Sequence, residues 1–285
     1  MNYLLFNSKA NAGEGKDDAI AAAEKLKSAY GDFEFLDLLA MDKKAFFAGL
    51  KEDDLVVVTG GDGTLNHLVN DIGDAPIPEK LYLLPLGTGN DFLNDVASSK
   101  QEDGLVPLKP FLTNLPVVET MGIKRRFVNG IGFGIDGDCC VKAEEMKKNG
   151  KTDINYGNIT VKLLLTSYVA PKATVLLDGK EFSFNKAYIA AGMNGRYYGG
   201  GMQVAPMQKR NDGLLTFVCV YGGGKLGTLM LFPSIFSGKH INKKKHVFAQ
   251  RAKVIEVKFD RPTGLQIDGE IVPNATSYKI YFPEA

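Results

Sequence analysis

Short, nearly continuous apolar runs separated by helix-compatible stretches make up the first part of the chain. Residues 3–6, 33–39, 55–58 and 81–84 read as strands, and the β-branched run Val56-Val57-Val58 is the clearest of them. Residues 18–29, 43–50 and 65–72 read as helices. The alanines of the first favour helix, with Asp17 as its N-cap and Gly31 as its stop. Strands alternating with helices imply a parallel sheet with helices on both faces. Such sheets bind ligands beyond the carboxyl ends of their strands. That topology puts the loop after Phe6, the turn after Val58 and the turn after Leu84 on one rim.

The pattern changes after about Met121. A strand at 127–135, interrupted by glycines, and a helix at 155–168 are followed by short strands at 173–177, 181–184, 188–193, 213–220, 253–259, 265–268 and 278–281. Asp178-Gly179 between two alternating segments predicts a type I′ hairpin. This part reads as an antiparallel β-sandwich. The expected organisation is therefore an α/β parallel-sheet domain over 1–122 and a β-sandwich domain over 123–285, sharing a cleft because no linker separates them. No internal repeat is evident.

Composition narrows the classes. The 285 residues are 45% hydrophobic and 24% charged, as in an ordinary globular protein. A net charge of +1 excludes a generally basic nucleic-acid binder. The three cysteines, two of them the neighbours Cys139 and Cys140, form neither a disulfide framework nor a zinc site, and free thiols fit a reducing cytoplasm. The N-terminus lacks the basic leader and apolar core of a signal peptide. No apolar run reaches the ~18 residues of a membrane span. Contact with lipid is thus expected to be peripheral.

The chemistry concentrates in Gly60-Gly61-Asp62-Gly63-Thr64, where the strongest strand meets a helix. Glycines let a ligand approach the backbone, and amides at a helix start favour an anion. A carboxylate beside a phosphate needs a cation between them, so Asp62 reads as facing Mg²⁺. An ordinary glycine turn closed by an Asx hydrogen bond is the simpler reading of the motif in isolation.

Further motifs accompany it: Gly87-Thr88-Gly89-Asn90-Asp91; Gly192-Met193-Asn194-Gly195-Arg196-Tyr197-Tyr198-Gly199-Gly200-Gly201-Met202, with Ala205-Pro206 and Asp212-Gly213 after it; and Asp268-Gly269-Glu270. With these in view the chain resembles, over nearly its whole length, the bacterial lipid kinases with a diacylglycerol kinase catalytic domain, which are related to sphingosine kinases. The resemblance implies an NAD kinase-like nucleotide-binding domain and ATP- and Mg²⁺-dependent phosphorylation of a lipid hydroxyl, most simply that of diacylglycerol. It implies that Gly60, Gly61, Asp62, Gly63, Thr64 and Asn66 hold the nucleotide phosphates with Thr88, that Asn7 and Asp91 line the same cleft, and that Asp62 belongs to the catalytic centre. It implies a structural Mg²⁺ at the Asp212 carboxylate and the Lys209 and Leu214 carbonyls, and Glu270 as general base. One departure is Asn7-Ser8 where the family has Asn-Pro, in a loop about two residues longer.

The residues taken alone agree. A lipid hydroxyl is a poor nucleophile, and a carboxylate in hydrogen-bond reach can take its proton. For Asp268-Gly269-Glu270 a solvated hairpin is the simpler reading in isolation, and Asn211-Asp212-Gly213 is open between a hairpin and a hard-cation site. Asn194 and Arg196 are further cleft candidates, the Gly199–Gly201 run implies backbone freedom, and His67 reads as packed or exposed without a catalytic role. The apolar segment 229–236, followed by Lys239, Lys243, Lys244, Lys245, Arg251 and Lys253, is either a core helix with a solvated loop or an anionic-membrane contact. The expected partners are a lipid substrate at a membrane surface and no nucleic acid. A homodimer is compatible with the sequence, and the expected location is the cytoplasm, peripheral to the inner membrane face. An NAD kinase, which also explains the glycine turn, and a non-catalytic nucleotide- or lipid-binding regulator are the alternative functions.

Overall fold

The structure is a computed structural model that describes residues 1–10, 13–87 and 89–283. It divides into two compact units, Met1–Leu115 and Pro116–Ala285. The division falls earlier than the expected 122/123 boundary because residues 117–120 form a strand of the second unit's sheet.

The first unit runs β1 (Asn2–Phe6), α1 (Gly15–Tyr30), β2 (Glu34–Asp37), α2 (Lys43–Gly49), β3 (Leu55–Gly60), α3 (Asp62–Asp71), β4 (Leu81–Pro85), α4 (Asp91–Val96), β5 (Val106–Pro107) and α5 (Lys109–Leu112). Among the described residues the sheet order is β2-β1-β3-β4-β5. All pairs are parallel except β4 with β5. Every residue of β3 is buried, as a central parallel strand covered on both faces requires. Leu4, Phe6, Ala19 and Ala23 pack α1 onto β1, and Leu26, Leu55, Val57 and Leu105 continue that core. The order places a topological switch point between β1 and β3, where a doubly wound sheet opens a crevice for ligands.

The second unit runs β6 (Val117–Thr120), β7 (Ile123–Arg126), β8 (Gly130–Gly134), α6 (Ile135–Lys148), α7 (Tyr156–Leu165), β9 (Ala173–Leu177), β10 (Lys180–Phe184), β11 (Ala187–Met193), β12 (Leu215–Tyr221), α8 (Gly224–Leu231), α9 (Pro233–Phe236), β13 (Val247–Ala252), β14 (Val254–Ile267) and β15 (Glu270–Tyr281). Its strands pair antiparallel. The long strand β14 pairs with β15 on one edge; on the other it pairs with β9 through its first half and with β8 through its second. The register shifts between those halves, around Lys258 to Leu265, where Arg261-Pro262 interrupts the ladder. The strands expected at 253–259 and 265–268 are thus one strand bent across an irregularity. One apolar core draws Phe133, Val175, Phe217, Val257, Leu265 and Tyr278 from β8, β9, β12, β14 and β15, with Phe133 stacked on Phe259 at 3.9 Å, and a second, with Ile135, Leu164, Tyr188, Val218 and Leu231, lies under the helices. The expected fold class, a parallel α/β unit followed by an antiparallel sandwich-type unit, is what the structure shows.

Asp178 and Gly179 take φ of 50° and 82°, as the predicted type I′ hairpin between β9 and β10 requires. The helix α6 has no counterpart in the sequence-based expectations. The strand expected at 127–135 ends at Gly134, and the helix begins at the next residue.

Candidate active site

The two glycine turns of the first unit, after β3 and after β4, are stacked backbone on backbone. The Leu86 amide donates to Gly60 O at 3.3 Å, and the Asp62 amide donates to Gly89 O at 3.2 Å. A Cβ on Gly61 would lie 2.5 Å from Gly89 O, and one on Gly87 would lie 2.7 Å from the Gly61 nitrogen. These glycines are therefore consumed by the close approach of the turns. Gly63 is different. It sits exposed in the first turn of α3, and a Cβ there would meet nothing within 4 Å. Among the described residues no contact calls for glycine at this place in the helix, where it costs up to about 1 kcal/mol relative to alanine. A ligand lying over the helix start would supply the reason.

Asp62 is the first residue of α3, three positions ahead of the expected helix start. Its side chain reaches the start of α4. Oδ2 accepts from the Asp91 amide and Oδ1 from the Phe92 amide, each at 2.8 Å. The carboxylate thus caps α4 and locks the second turn to the first; the amides around it belong to α4, where the sequence suggested those of α3. A carboxylate at this rim is an oxygen ligand of the kind that a hydrated, phosphate-bound Mg²⁺ takes. Asp91 is buried at the start of α4, and Asn66 is almost wholly buried within α3. Thr64 packs its side chain over Gly60. Asn7 follows β1, next to β3 in the sheet, and its Oδ1 accepts from the Lys9 amide at 2.9 Å. The Ser8 amide donates to Asp37 Oδ1, and hydrogen bonds from Ser8 and Leu39 outweigh burial to hold Asp37 below the usual carboxylate range. Asn7, Gly60, Gly61, Asp62, Gly63, Thr64, Asn66 and Asp91 therefore fall along the carboxyl ends of β1, β3 and β4 and the helices that follow them. Thr88, and Asn11 and Ala12 of the 8–13 loop, lie outside the described residues.

In the second unit Glu270 is the first residue of β15, paired with Ile267 across a two-residue turn. Asp268 and Gly269 take φ of 48° and 93° there. Asp268 anchors the turn: its carboxylate accepts from the amides of Val128, Asn129 and Gly130, the last two at 2.9 Å. Gln266 Oε1 accepts from the Gly269 amide at 2.8 Å. Arg210 reaches the same segment, donating to Val128 O and Asn129 Oδ1 at 2.7 Å each. Asn194 is buried and donates through Nδ2 to Val128 O at 2.8 Å. The hairpin reading is right, and it leaves a half-buried Glu270 presented from a fixed turn. Asp268, Asn129 and Arg210 were not singled out from sequence for this support. The Asp-Gly pair was the available signal for Asp268. Arg196 lies over the Tyr197 ring at 5.6 Å, and Gly199, Gly200 and Gly201 all have positive φ.

The oxygens implied for a structural metal have partners within the protein. Gln208 Nε2 donates to Lys209 O at 2.9 Å and to Leu214 O at 2.8 Å. Arg251 Nη2 lies 2.6 Å from both oxygens of Asp212. The two carbonyls thus bind an amide, and the carboxylate binds a guanidinium. A guanidinium thus stands at the carboxylate for which the resemblance implies Mg²⁺. The Asn211–Gly213 turn exists but is no hairpin, since the segment before it is not a strand.

One further acid was missed. Asp136, at the start of α6, accepts from Tyr198 Oη at 2.7 Å, and its Oδ1 is buried with no hydrogen-bond partner among the described residues. Burial, reinforced by the nearby Asp138 charge, pushes its carboxyl up to about 6 against the hydrogen bond from Tyr198.

Within the first unit, glycine turns stacked over the carboxyl ends of a switch-point sheet suit the phosphates of a nucleotide; within the second, a carboxylate at a rigid hairpin suits proton transfer; each is a feature that a phosphotransferase uses. Comparison with known proteins gives the particular kind. Residues 2–109 match the family model of the diacylglycerol kinase catalytic domain, and residues 129–285 match that of the YegS C-terminal NAD kinase beta sandwich-like domain. A diacylglycerol kinase of Mycobacterium tuberculosis is 30% identical over 222 residues, which cover 73% of this chain and 68% of that protein. A Stenotrophomonas maltophilia protein named "Probable lipid kinase YegS-like" is 27% identical over 228 residues, 77% of this chain and 73% of that one. A crystal structure of a Bacillus anthracis diacylglycerol kinase shares the fold, with a TM-score of 0.63 at 20% identity over 99% of this chain and 93% of that one. The chain belongs to the family of diacylglycerol kinase and YegS-like lipid kinases, and is an enzyme of that class. Membership implies ATP as phosphoryl donor.

Proposed function

We propose that the protein transfers the γ-phosphoryl group of ATP to the hydroxyl of diacylglycerol, giving phosphatidic acid and ADP. The observation that carries the donor side is Gly63, open to a ligand at the helix start while its neighbours Gly61 and Gly87 are used up by packing. In this reading the amides at the start of α3 face the phosphates, and Asp62 and Asp91 are the carboxylates that would face an Mg²⁺ bound to them, an ion that offsets phosphate charge. Glu270 takes the proton from the lipid hydroxyl as its oxygen bonds to the γ-phosphorus. The bond from that phosphorus to the bridging oxygen breaks, ADP leaves, and the proton passes from Glu270 to solvent. Support for diacylglycerol as acceptor comes from the names of the relatives. Such an acceptor resides in a bilayer, and among the described residues no helix is long and apolar enough to cross one; in this reading the enzyme works at the cytoplasmic face of the membrane.

The test is incubation of purified protein with γ-labelled ATP, Mg²⁺ and either mixed micelles of diacylglycerol or NAD. Label in phosphatidic acid is the expected result. Label in NADP, or bound nucleotide without any labelled product, would overturn the reading in favour of an NAD kinase or a non-catalytic regulator.

A further inference from the structure

The second unit carries a surface where exposed apolar side chains and lysines lie together. The inner side of α8 buries Thr228 and Leu231, and the outer side leaves Leu226 67% and Met230 77% exposed, one helical turn apart. An outward helix face is normally polar; this one is not. Leu165 and Val169 are also exposed, and they flank Thr166, whose carbonyl accepts from Lys225 Nζ at 3.1 Å. That bond fixes the end of α7 beside the start of α8. Phe236 of α9, edge-on to Phe232, continues the apolar surface, and α9 packs on the turn that carries Lys239. Lys239, Lys243, Lys244 and Lys245 are exposed.

Charge separates these elements from the rest of a nearly neutral chain. Residues 154–177 and 213–255 contain no Asp or Glu, although 33 acidic residues occur overall. We infer that this surface of α7, α8, α9 and the 239–245 turn docks on an anionic lipid bilayer, with Leu165, Val169, Leu226, Met230 and Phe236 entering the acyl boundary and the lysines meeting lipid phosphates. The apolar residues are alkyl or phenyl groups without a donor or acceptor, which suits acyl chains. The lysine rim matches an anionic headgroup layer. A second copy of the same surface would set lysine against lysine, so the charge complementarity favours lipid over self-association. The inference rests on the proposed use of a bilayer-resident acceptor, but its test needs no turnover.

The experiment is sedimentation of the full chain, without ATP, on vesicles of phosphatidylcholine alone and of phosphatidylcholine with phosphatidylglycerol. Binding is expected only to the anionic vesicles and should weaken as salt rises. Leu226→Ser with Met230→Ser should weaken it at least about tenfold, and Lys243→Gln with Lys244→Gln and Lys245→Gln by a similar factor. Leu39→Ser, at an exposed leucine of the first unit, should leave it unchanged. The Leu226/Met230 variant should phosphorylate a dispersed short-chain diacylglycerol as the natural protein does, which separates loss of docking from loss of chemistry. Wild-type affinity in both variants, no vesicle binding by the natural protein, or a variant effect confined to oligomeric state in light scattering would overturn the inference.

Discussion

Asp62 and Asp212 each precede a glycine in the sequence, and a cation is expected for each. Their partners differ. Asp62 accepts from the amides of Asp91 and Phe92, whereas Asp212 accepts from the Leu214 amide and the Arg251 guanidinium. These contacts bring two backbone amides to the first carboxylate. The second has its charge answered inside the protein. Local sequence gives the charge of a group; the fold decides what meets it, and here the deciding residues lie 29 and 39 positions away along the chain.

The contrast can be broken by removing each group in turn. The largest effect is expected for Asp62→Ala, which strands two amides at the start of α4 and loses two charge-assisted hydrogen bonds, about 4 kcal/mol of stability. Urea unfolding would measure it, and a loss under about 1 kcal/mol would mean that the carboxylate does not join the turns. Asp136 extends the contrast to a carboxyl with too few partners. Its folded value is raised to about 6, so the folded state holds a proton that the unfolded chain has released. The contribution is fully present below the unfolded value near 3.8 and is lost as pH rises through about 6, a fall of up to about 3 kcal/mol. Urea midpoints at acid and neutral pH should show that slope, and Asp136→Asn should flatten it.

Glu270→Gln tests a carboxylate assigned to chemistry. Turnover should drop about 100-fold, equivalent to about 2.7 kcal/mol, with ATP affinity retained. Equal turnover in steady-state assays would remove Glu270 from the role of base. The smallest effect is expected at Arg251. Both partners of that pair are partly exposed, so Arg251→Gln should cost only about 1 kcal/mol. Because a guanidinium serves Asp212, chelation of divalent ions should leave the melting temperature of the nucleotide-free protein unchanged. A marked fall with chelator would restore the metal to that loop.

Much of the first unit was legible because its central strand β3 is a fully buried, continuous apolar run ended by glycines, flanked by helix-compatible stretches. The Asp178-Gly179 and Asp268-Gly269 turns were legible because positive φ at both positions leaves few residue types acceptable. The helix α6 was not, since Ile135-Asp136-Gly137-Asp138-Cys139-Cys140 carries no clear apolar period and its burial comes from packing on β14. Nor was the partner of Asp212, because a side-chain ion pair between distant residues leaves no local trace. The positions of Asn7, Gly60–Asn66 and Asp91 along the β1, β3 and β4 ends followed from strand order alone. The support of Glu270 by Asp268, Asn129 and Arg210 needed the fold.

The most direct test of the nucleotide site is Gly63→Ala, measured for both stability and ATP affinity. With nothing within 4 Å of the new methyl group, the protein should become more stable by about 0.5–1 kcal/mol while ATP binds at least about tenfold more weakly. A stabilised variant that binds ATP as tightly as before would contradict the placement of the phosphates over that turn.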